Sequence, residues 1–254
     1  MKKILLLNKK EGETPLEALQ YFRSKNKQYQ EPKMTYAGRL DPMASGLLIV
    51  LVGDETKNKE KYLALSKEYE FEVLFGFKTD TYDILGKVSN KPHRQDLWGK
   101  KELEKIIKKN LKYFTGKFIQ KYPMYSSKTV DGKMLFEYAR SGVDVKVPKR
   151  KVFVKELKFF KLKTINKKIL LANIEKRVKK VQGDFRQKEI LKIWQKELNL
   201  KQGPSLLKVG SFKIKCSSGT YVRGIADSLG GKIGIPALAF SIKRTKVGKY
   251  VLKR

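Results

Sequence analysis

Cysteine and histidine are almost absent from this sequence. Cys216 is the only cysteine and His93 the only histidine among 254 residues. A single cysteine excludes a disulfide within the chain and a cysteine-based zinc cluster, and it is typical of a reducing compartment. A Ser-His-Asp or Cys-His hydrolase would have to use His93, which lies in a polar run, Lys91-Pro92-His93-Arg94-Gln95. The sequence therefore disfavours conventional hydrolase chemistry.

Long apolar runs are also missing. No stretch approaches the ~20 apolar residues that a membrane-spanning helix needs. The N-terminal stretch MKKILLLNKKEGETP lacks the long apolar core and the small-residue cleavage site of a secretory signal peptide. These two absences predict a cytoplasmic protein without a membrane partner.

Acidic residues are few beside the basic ones. The chain has 58 Lys+Arg against 25 Asp+Glu, a formal net charge of +33 that is spread along its length. Nucleic acid is the leading candidate for a partner, because each neutralised phosphate releases counterions and the summed field steers association. An anionic membrane surface is the alternative, but the sequence shows no basic amphipathic helix with a clean apolar face.

Apolar periodicity predicts the elements of the first part of the chain. Lys3 to Leu7 predicts a strand, and Thr14-Pro15-Leu16-Glu17 has the capping-box pattern with proline at the first helical position. We expect the helix that begins there to bury Leu16, Leu19 and Phe22. The run from Leu47 to Val52 is typical of a strand buried on both faces, central in a sheet. Period-two alternation predicts a further strand with one buried aromatic face, formed by Tyr69, Phe71, Val73, Phe75 and Phe77.

The second part of the chain mixes both periods. Helical spacing is found over residues 103–114 and 190–198, and strands are predicted at 152–162, 169–178 and 208–216. The basic patch Lys176 to Lys180 is interpreted as a solvated strand edge. Strands and helices alternate without strict βαβ repetition, which predicts an α+β fold. Length and a hydrophobic content of 41% are sufficient for one large domain, or for one domain with an appendage.

A glycine-bounded loop is the strongest functional signal. Residues Gly38 to Gly46 read Gly-Arg-Leu-Asp-Pro-Met-Ala-Ser-Gly and lead directly into the apolar run after them. Pro42 fixes its own φ, and the two glycines permit backbone conformations that other residues resist. Such a loop can hold Asp41 at a cleft. The alternative is an ordinary Asp-Pro turn.

Three other segments carry candidate chemistry. In the segment Ser217 to Asp227 a strand is predicted to end and a helix to begin. If Thr220 is the N-cap of this helix, Arg223 is at position N3. The helix dipole disfavours a cation there unless a carboxylate pairs with it. The alternative is an exposed arginine with no role. The loop Gly76 to Gly86 has Asp and Thr side chains able to cap their own backbone. The segment Phe114 to Lys128 is aromatic and basic, which suits stacking on bases or packing of a loop on the core.

Taken together and in this order, these segments resemble the bacterial TruB family of tRNA pseudouridine synthases. The resemblance runs from Leu5 to the C-terminus. It rests on several motifs in register: Gly38 to Gly46, Lys67-x-Tyr69, Thr79-Asp-Thr-x-Asp83, Tyr122-Pro-x-Tyr-Ser126 with Lys128, Glu137-Tyr-Ala-Arg-x-Gly142, Gly219-Thr-Tyr-Val-Arg223 and Lys243-Arg244-Thr245. Several independent motifs in the same order are far more specific than any one of them.

The resemblance implies a pseudouridine synthase fold, with a mixed, mostly antiparallel central sheet flanked by helices and loops. It implies that Asp41 is the catalytic carboxylate that isomerises uridine 55 in the T-loop of tRNA, that Tyr69 stacks on the target base and takes part in proton transfer, and that Arg223 pairs with Asp41. It also implies that Tyr221 and Ile242 help line the pocket, and we expect Tyr36, Arg39, Lys67 and Arg244 to be further substrate-binding residues. The reaction needs an ionised carboxylate and neither cofactor nor metal. The expected partner is the T-arm stem-loop of tRNA, bound by a monomer.

The sequence also departs from the family pattern. Tyr36-Ala37-Gly38-Arg39 stands where His-Thr-Gly-Ala is common, and Tyr36 is able to stack in place of the histidine. Lys9-Lys10 replaces an expected Lys-Pro. The chain ends soon after Gly248, so we expect residues 1–254 to form a single catalytic domain without the small C-terminal RNA-binding domain of many relatives. A candidate helical insertion at 183–204 and the high charge are expected to compensate.

Two other functions stay open at this point. The Arg39-Leu40-Asp41 sequence is similar to the loop of the ribosomal-RNA pseudouridine synthases, which favours an rRNA target as one alternative. A basic RNA-binding or RNA-chaperone protein with an idle catalytic loop is the other.

Overall fold

One large mixed sheet organises the fold. In the computed structural model, which describes residues 2–89, 99–200 and 205–252, this sheet has nine strands within those ranges. His93 and the end of the candidate insertion, residues 201–204, lie outside the described residues. The described strands are β1 (Ile4–Lys9), β2 (Met34–Ala37), β3 (Ala44–Val52), β4 (Lys67–Phe75), β5 (Gly116–Lys121), β6 (Thr129–Val130), β7 (Lys133–Met134), β8 (Lys149–Asn166), β9 (Leu206–Cys216), β10 (Ala237–Val247) and β11 (Tyr250–Val251).

The strand order across the sheet is β1-β3-β10-β4-β9-β8-β5, with β2 paired to β3 and β11 to β10. The β3–β10 pair is parallel, and the other described pairs of this sheet are antiparallel. Strands β6 and β7 form a separate hairpin. The described α-helices are α1 (Pro15–Lys25), α2 (Lys59–Ala64), α3 (Lys100–Asn110), α4 (Leu135–Ser141), α5 (Lys167–Val178), α6 (Gln187–Asn199) and α7 (Val222–Ile233). The prediction of an α+β fold with a mixed, mostly antiparallel sheet is confirmed.

Strands β3 and β4 form as their sequence patterns predict, except that Phe77 lies beyond the end of β4 and packs against Trp194, away from the other aromatic residues of the predicted face. Residues 47–51 of β3 are fully buried, and the strand has partners on both sides. In β4 the residues from Tyr69 to Phe75 at odd positions are buried and pack towards α3 and α7. The glutamates between them, Glu68, Glu70 and Glu72, lie opposite Lys215, Lys213 and Ser211 of β9. Burial of one aromatic face against two helices places Tyr69, near the start of the strand, at the edge of the core.

Helix α1 has the predicted capping box, but one predicted core residue is wrong. The Thr14 side chain accepts from the Glu17 amide, and the Glu17 carboxylate accepts from the Thr14 amide. Leu16, predicted to be buried, is 51% exposed. The buried stripe instead follows Pro15, Ala18 and Leu19, with Phe22 half-buried at the next turn, so Leu16 lies on the flank of the helix.

The strand predicted at 169–178 is wrong, because this segment is helix α5. Leu170, Ile174 and Val178 are buried at four-residue spacing, and the Asn166 side chain caps the Lys168 amide. Their partners are Ile190, Trp194 and Leu198 of α6, in the position predicted for that helix. The patch Lys176 to Lys180 is consequently the end of a helix and the turn after it rather than a strand edge.

Within the described residues, no helix is long and apolar enough to cross a bilayer.

Candidate active site

Asp41, in the loop before β3, lies between two cavities. A cavity of about 430 Å³ opens on one side of its carboxylate, and one of about 570 Å³ opens on the other. The first is walled by Tyr69 of β4, Tyr221 before α7 and Ile242 of β10. Both cavities contact Arg39, Leu40 and Asp41, so the loop that carries the carboxylate separates them.

Two buried cationic side chains, Arg244 and Lys9, hold this loop by hydrogen bonds to its backbone carbonyls. The Arg244 guanidinium is 1% exposed and donates to the carbonyls of Leu47 (2.7 Å), Gly38 (3.1 Å) and Arg39 (3.2 Å). The Lys9 ammonium, also buried, donates to the carbonyls of Ala44 (2.5 Å) and Lys10 (2.9 Å). Burial lowers the pKa of Lys9 to about 8. The loop therefore presents Asp41 from a backbone whose carbonyls are fixed on both sides of it.

Asp41 and Arg223 form a two-point ion pair. Arg223 Nε lies 2.7 Å from Asp41 Oδ2, and Nη2 lies 3.1 Å from Oδ1. The arginine side chain is 3% exposed, whereas that of Asp41 is 40% exposed. The predicted pairing is thus confirmed, and the carboxylate is the member of the pair that faces the cavities.

The helix start that supplies Arg223 differs from the predicted one. Tyr221, not Thr220, is the N-cap of α7, so Arg223 is at N2 rather than N3. The Thr220 hydroxyl instead donates to the Ser217 carbonyl (3.0 Å), within the turn. A cation remains in the first turn because two carboxylates face it, which offsets the unfavourable dipole term.

The second of these carboxylates is Asp83, which sequence reasoning missed as a site residue. Its Oδ2 lies 3.7 Å from Arg223 Nε, while Oδ1 accepts from the Thr81 hydroxyl (2.7 Å) and the Leu85 amide (3.0 Å). Burial raises the pKa of Asp83 to about 6, and the charge of Arg223 opposes this shift. The loop Gly76 to Gly86 makes the predicted self-capping bonds, but its polar residues also face inwards at Arg223.

Backbone carbonyls complete the surroundings of Arg223. Nη1 donates to Thr81 O, and Nη2 donates to Tyr125 O at 3.2 Å. These two carbonyls come from the loops whose Thr-Asp-Thr and Tyr-Ser motifs were noted in the sequence. The guanidinium therefore has four protein partners, which fix its plane relative to Asp41.

The aromatic residues form the wall opposite the carboxylate. Tyr69 is 9% exposed, and burial raises the pKa of its phenol while the nearby Arg244 guanidinium opposes the rise. The Tyr221 ring packs edge-on against Tyr122, with ring centroids 5.5 Å apart. Tyr221 is held by Gln120, which accepts from its amide and donates to its carbonyl, both at 2.9 Å. A flat apolar wall beside a carboxylate suits a planar ring such as a nucleobase.

The other predicted substrate-binding residues fall into two groups. Lys67 and Arg244 line the first cavity, but their donors are used by the protein. The Lys67 ammonium donates to the carbonyls of Leu63 and Leu65, each at 2.6 Å, and burial lowers its pKa to about 8. Tyr36 instead lines the second cavity, and exposed Arg39 lines both.

The side chains at the site suit carboxylate chemistry. Over residues 2–89, 99–200 and 205–252, no three His, Cys, Asp or Glu side chains are grouped to hold a metal ion. What the site offers is one accessible carboxylate, a buried arginine that orients it and an aromatic wall. Such a set is able to attack an electrophilic carbon and to hold a planar ring while a bond to that ring breaks and re-forms.

Comparison with known proteins gives matches along the whole chain. A family profile described as "TruB family pseudouridylate synthase (N terminal domain)" matches residues 25–183. The tRNA pseudouridine synthase B of Caldicellulosiruptor saccharolyticus is 30% identical over 254 residues, which cover 100% of this chain and 70% of that protein. The protein of the same name from Borreliella burgdorferi is 34% identical over 253 residues, covering 98% of this chain and 71% of its own length.

Solved structures are similar in fold. A chain in the crystal structure of a Cbf5-Nop10-Gar1 complex superposes with a TM-score of 0.56 at 17% identity, covering 98% of this chain and 50% of that one. A chain in the structure of an H/ACA RNP bound to a substrate RNA containing 2′-deoxyuridine gives 0.52 at 18% identity, covering 98% and 49%. This chain thus spans about half the length of those solved chains.

Proposed function

Since the chain belongs to the TruB family of pseudouridylate synthases, we propose that it converts uridine 55 in the T-loop of tRNA to pseudouridine. The observation that carries the proposal is the Asp41–Arg223 pair at a cavity walled by Tyr69, Tyr221 and Ile242. The relatives named tRNA pseudouridine synthase B, of which this chain spans about 70%, support tRNA as the substrate.

In the proposed mechanism Asp41 Oδ attacks C1′ of the target nucleotide, and the bond from C1′ to N1 of uracil breaks. The freed ring turns within the cavity, and C5 bonds to C1′ as the carboxylate leaves. A proton leaves C5 and N1 gains one, so atoms and charge balance without a redox partner. Arg223 holds the carboxylate in its attacking orientation through the 2.7 Å contact.

Tyr69 and its neighbours are proposed to receive the target base once it has left the stacked bases of the T-loop. Unstacking a base costs a few kcal/mol, and an aromatic face offsets part of that cost. The Tyr69 hydroxyl beside Arg244 is proposed to take part in the proton transfer. Lys67 and Arg244, whose donors are used by carbonyls, are proposed to shape the pocket rather than to contact phosphate.

The net charge of +33 supports an RNA substrate whose phosphates contact exposed lysines and arginines. We propose that residues 1–254 act as one catalytic domain, as a monomer in the cytoplasm, on the T-arm stem-loop.

The test uses an unmodified T-arm stem-loop carrying tritium at C5 of uridine 55. Isomerisation releases the label to water, so the wild-type protein is expected to release it stoichiometrically, and an Asp41→Asn variant is expected to release none. A stem-loop labelled only at another uridine is the position control. Label release from a ribosomal-RNA fragment but not from the T-arm would assign the rRNA alternative. RNA binding without release from either RNA would overturn the proposed activity.

A further inference from the structure

Helices α5 and α6 are an excursion from a β-hairpin. Strands β8 and β9 pair up to their ends, where Asn166 faces Leu206, yet the residues between them form two helices. Trp194 anchors the pair, since its ring is fully buried and its indole N–H donates to Ile84 O (3.2 Å). A bidentate pair between Arg177, in the last turn of α5, and Glu11 anchors α5 at the end next to the turn that joins the helices. The turn between the helices is therefore held in a defined position, and its residues line the second cavity beside Asp41.

Arg186 at this turn has a constrained backbone. Its φ is 62° and its ψ 26°, the left-handed region that residues other than glycine and asparagine rarely adopt. The Arg186 amide donates to Asp184 Oδ1 (3.1 Å), and the preceding amide donates to Gln187 Oε1 (2.9 Å). A non-glycine residue in this region persists where the surroundings over-determine it, and such residues cluster at functional sites.

The Arg186 side chain is fixed by two partners from different loops. Nη1 donates to Asp80 Oδ2 (2.8 Å) and to the Tyr125 hydroxyl (2.6 Å), and the guanidinium lies 4.3 Å from the centre of the Tyr125 ring. The side chain is 18% exposed, so solvent screens these contacts less than those of a surface pair. The same turn also receives Arg140 of α4, which donates to Asp184 O (2.8 Å).

Both partners of Arg186 adjoin the groups that orient Arg223. Asp80 precedes Thr81, whose carbonyl accepts from Arg223 Nη1. Tyr125 itself supplies the carbonyl that accepts from Arg223 Nη2 at 3.2 Å. One arginine from the excursion thus ties together the two loops whose carbonyls fix the arginine paired with Asp41.

We propose that Arg186 is a positioning residue: through Asp80 and Tyr125 it fixes the Thr81 and Tyr125 carbonyls, and through them the Arg223–Asp41 pair. In this proposal the helices α5 and α6 stabilise the two loops that contact Arg223, and this role does not depend on contact with RNA. The kinetic consequence rests on the proposed function, whereas the consequence for Arg223 in the free protein does not.

The first experiment needs no RNA. The Nε–H of Arg223 donates to Asp41, so its NMR resonance, assigned with an Arg223→Lys variant, is expected to exchange slowly with water in the wild-type protein. Exchange is expected to be at least tenfold faster in Arg186→Ala and to move towards the wild-type rate in Arg186→Lys, which restores a charge beside Asp80. Lys188→Ala, which removes one charge from an exposed position on the same helix, is the matched control and is expected to leave exchange unchanged.

The second experiment separates positioning from folding and from RNA binding. In single-turnover assays Arg186→Ala is expected to lower the rate constant about tenfold or more while Kd for the stem-loop stays within about threefold, and Lys188→Ala to change neither. Tyr125→Phe removes only the hydroxyl that accepts from Arg186, and it is also expected to lower the rate constant. This variant provides the test if Arg186→Ala does not fold. Unchanged Arg223 exchange in Arg186→Ala, or in Tyr125→Phe if the former is unfolded, would overturn the proposal. Faster exchange in Arg186→Ala, together with a wild-type protein that makes no pseudouridine, would instead support the positioning role of Arg186 and refute the proposed function.

Discussion

Gly46 and Arg244 lie so close across the parallel β3–β10 pair that only glycine fits. A Cβ at Gly46 would lie 2.2 Å from Arg244 O, and the backbone φ there is 104°. This contact sets the distance between the end of the Asp41 loop and the strand that carries the arginine beneath it. Gly46 is thus required by the close approach of β10, which carries Arg244, and not only by the backbone conformation of a turn.

Gly46→Ala is accordingly expected to lower the free energy of unfolding by about 3 kcal/mol or more, since it adds a backbone clash to an unfavourable φ. Gly116→Ala is the matched control, because Gly116 has a φ of 84° with nothing within 4 Å of the added Cβ. That variant is expected to cost only about 1 kcal/mol. Chemical denaturation of both variants measures the difference. Equal losses would show that φ alone, and not the contact with Arg244, requires Gly46.

Asp41→Asn is expected to abolish isomerisation while RNA affinity stays within a few-fold. The amide keeps the shape and one acceptor for Arg223, but it is not a nucleophile. Tritium release and a binding titration on the same RNA give the two quantities. Activity near that of the wild type would remove Asp41 from the mechanism.

Tyr69→Phe is expected to bind RNA normally and to turn over about 10- to 100-fold more slowly, since the ring is kept and the hydroxyl is lost. Tyr69→Leu, which removes the flat face as well, is the companion variant and is expected to weaken binding too. The rate constant and Kd are measured separately for each variant. Full activity in Tyr69→Phe would leave the stacking role and eliminate the proton-transfer role.

Local sequence patterns were sufficient to predict the elements whose conformation depends on residues close together in the sequence. The alternating aromatic residues of β4 and the capping box at Thr14 act within a few residues, so they can be read without knowing the partner elements. The segment 169–178 could not be read in this way. Its dense apolar residues fit either period, and packing of Leu170, Ile174 and Val178 on a helix 20 residues later decided for α5.

The residues of the candidate site likewise fall into those that the local sequence indicates and those that only the fold brings together. Asp41 and Tyr69 stand out because their loop and strand have distinctive local sequences, and an arginine in the first turn of α7 predicts a carboxylate partner. Lys9, Asp83 and Arg186 act over long separations: Arg186 contacts Asp80 across 106 positions. Each of them lies in a segment whose local pattern is fully explained by a strand, a turn or a helix start. Their roles follow only from what the fold places beside them.

The net charge of +33 predicts a strong dependence of RNA binding on salt. For ~6 phosphate contacts, log K is expected to fall against log salt with a slope of roughly −4 to −5, at about 0.7–0.9 per phosphate. Whole tRNA and the isolated T-arm stem-loop are to be titrated over the same salt series. A slope near −1 with both RNAs would mean that the charge serves a partner other than this substrate.

Asp83→Asn tests the second carboxylate beside Arg223 through the pH dependence of stability. Burial raises the pKa of Asp83 to about 6 from an ordinary value of 3.8, so folding disfavours its ionised form. The contribution of Asp83 to stability is therefore fully present below about pH 4 and is lost as the pH rises through about 6. Asparagine keeps an oxygen that can accept from the Thr81 hydroxyl and the Leu85 amide but does not titrate.

Relative to Asp83→Asn, the wild-type protein is expected to lose up to about 3 kcal/mol of unfolding free energy between pH 4 and pH 7. Denaturant melts of both proteins at each pH provide the comparison, and groups other than Asp83 cancel because they titrate in both. A flat difference would mean that the charge of Arg223 offsets the effect of burial, and that Asp83 stays ionised as a second counter-ion for the arginine that orients Asp41.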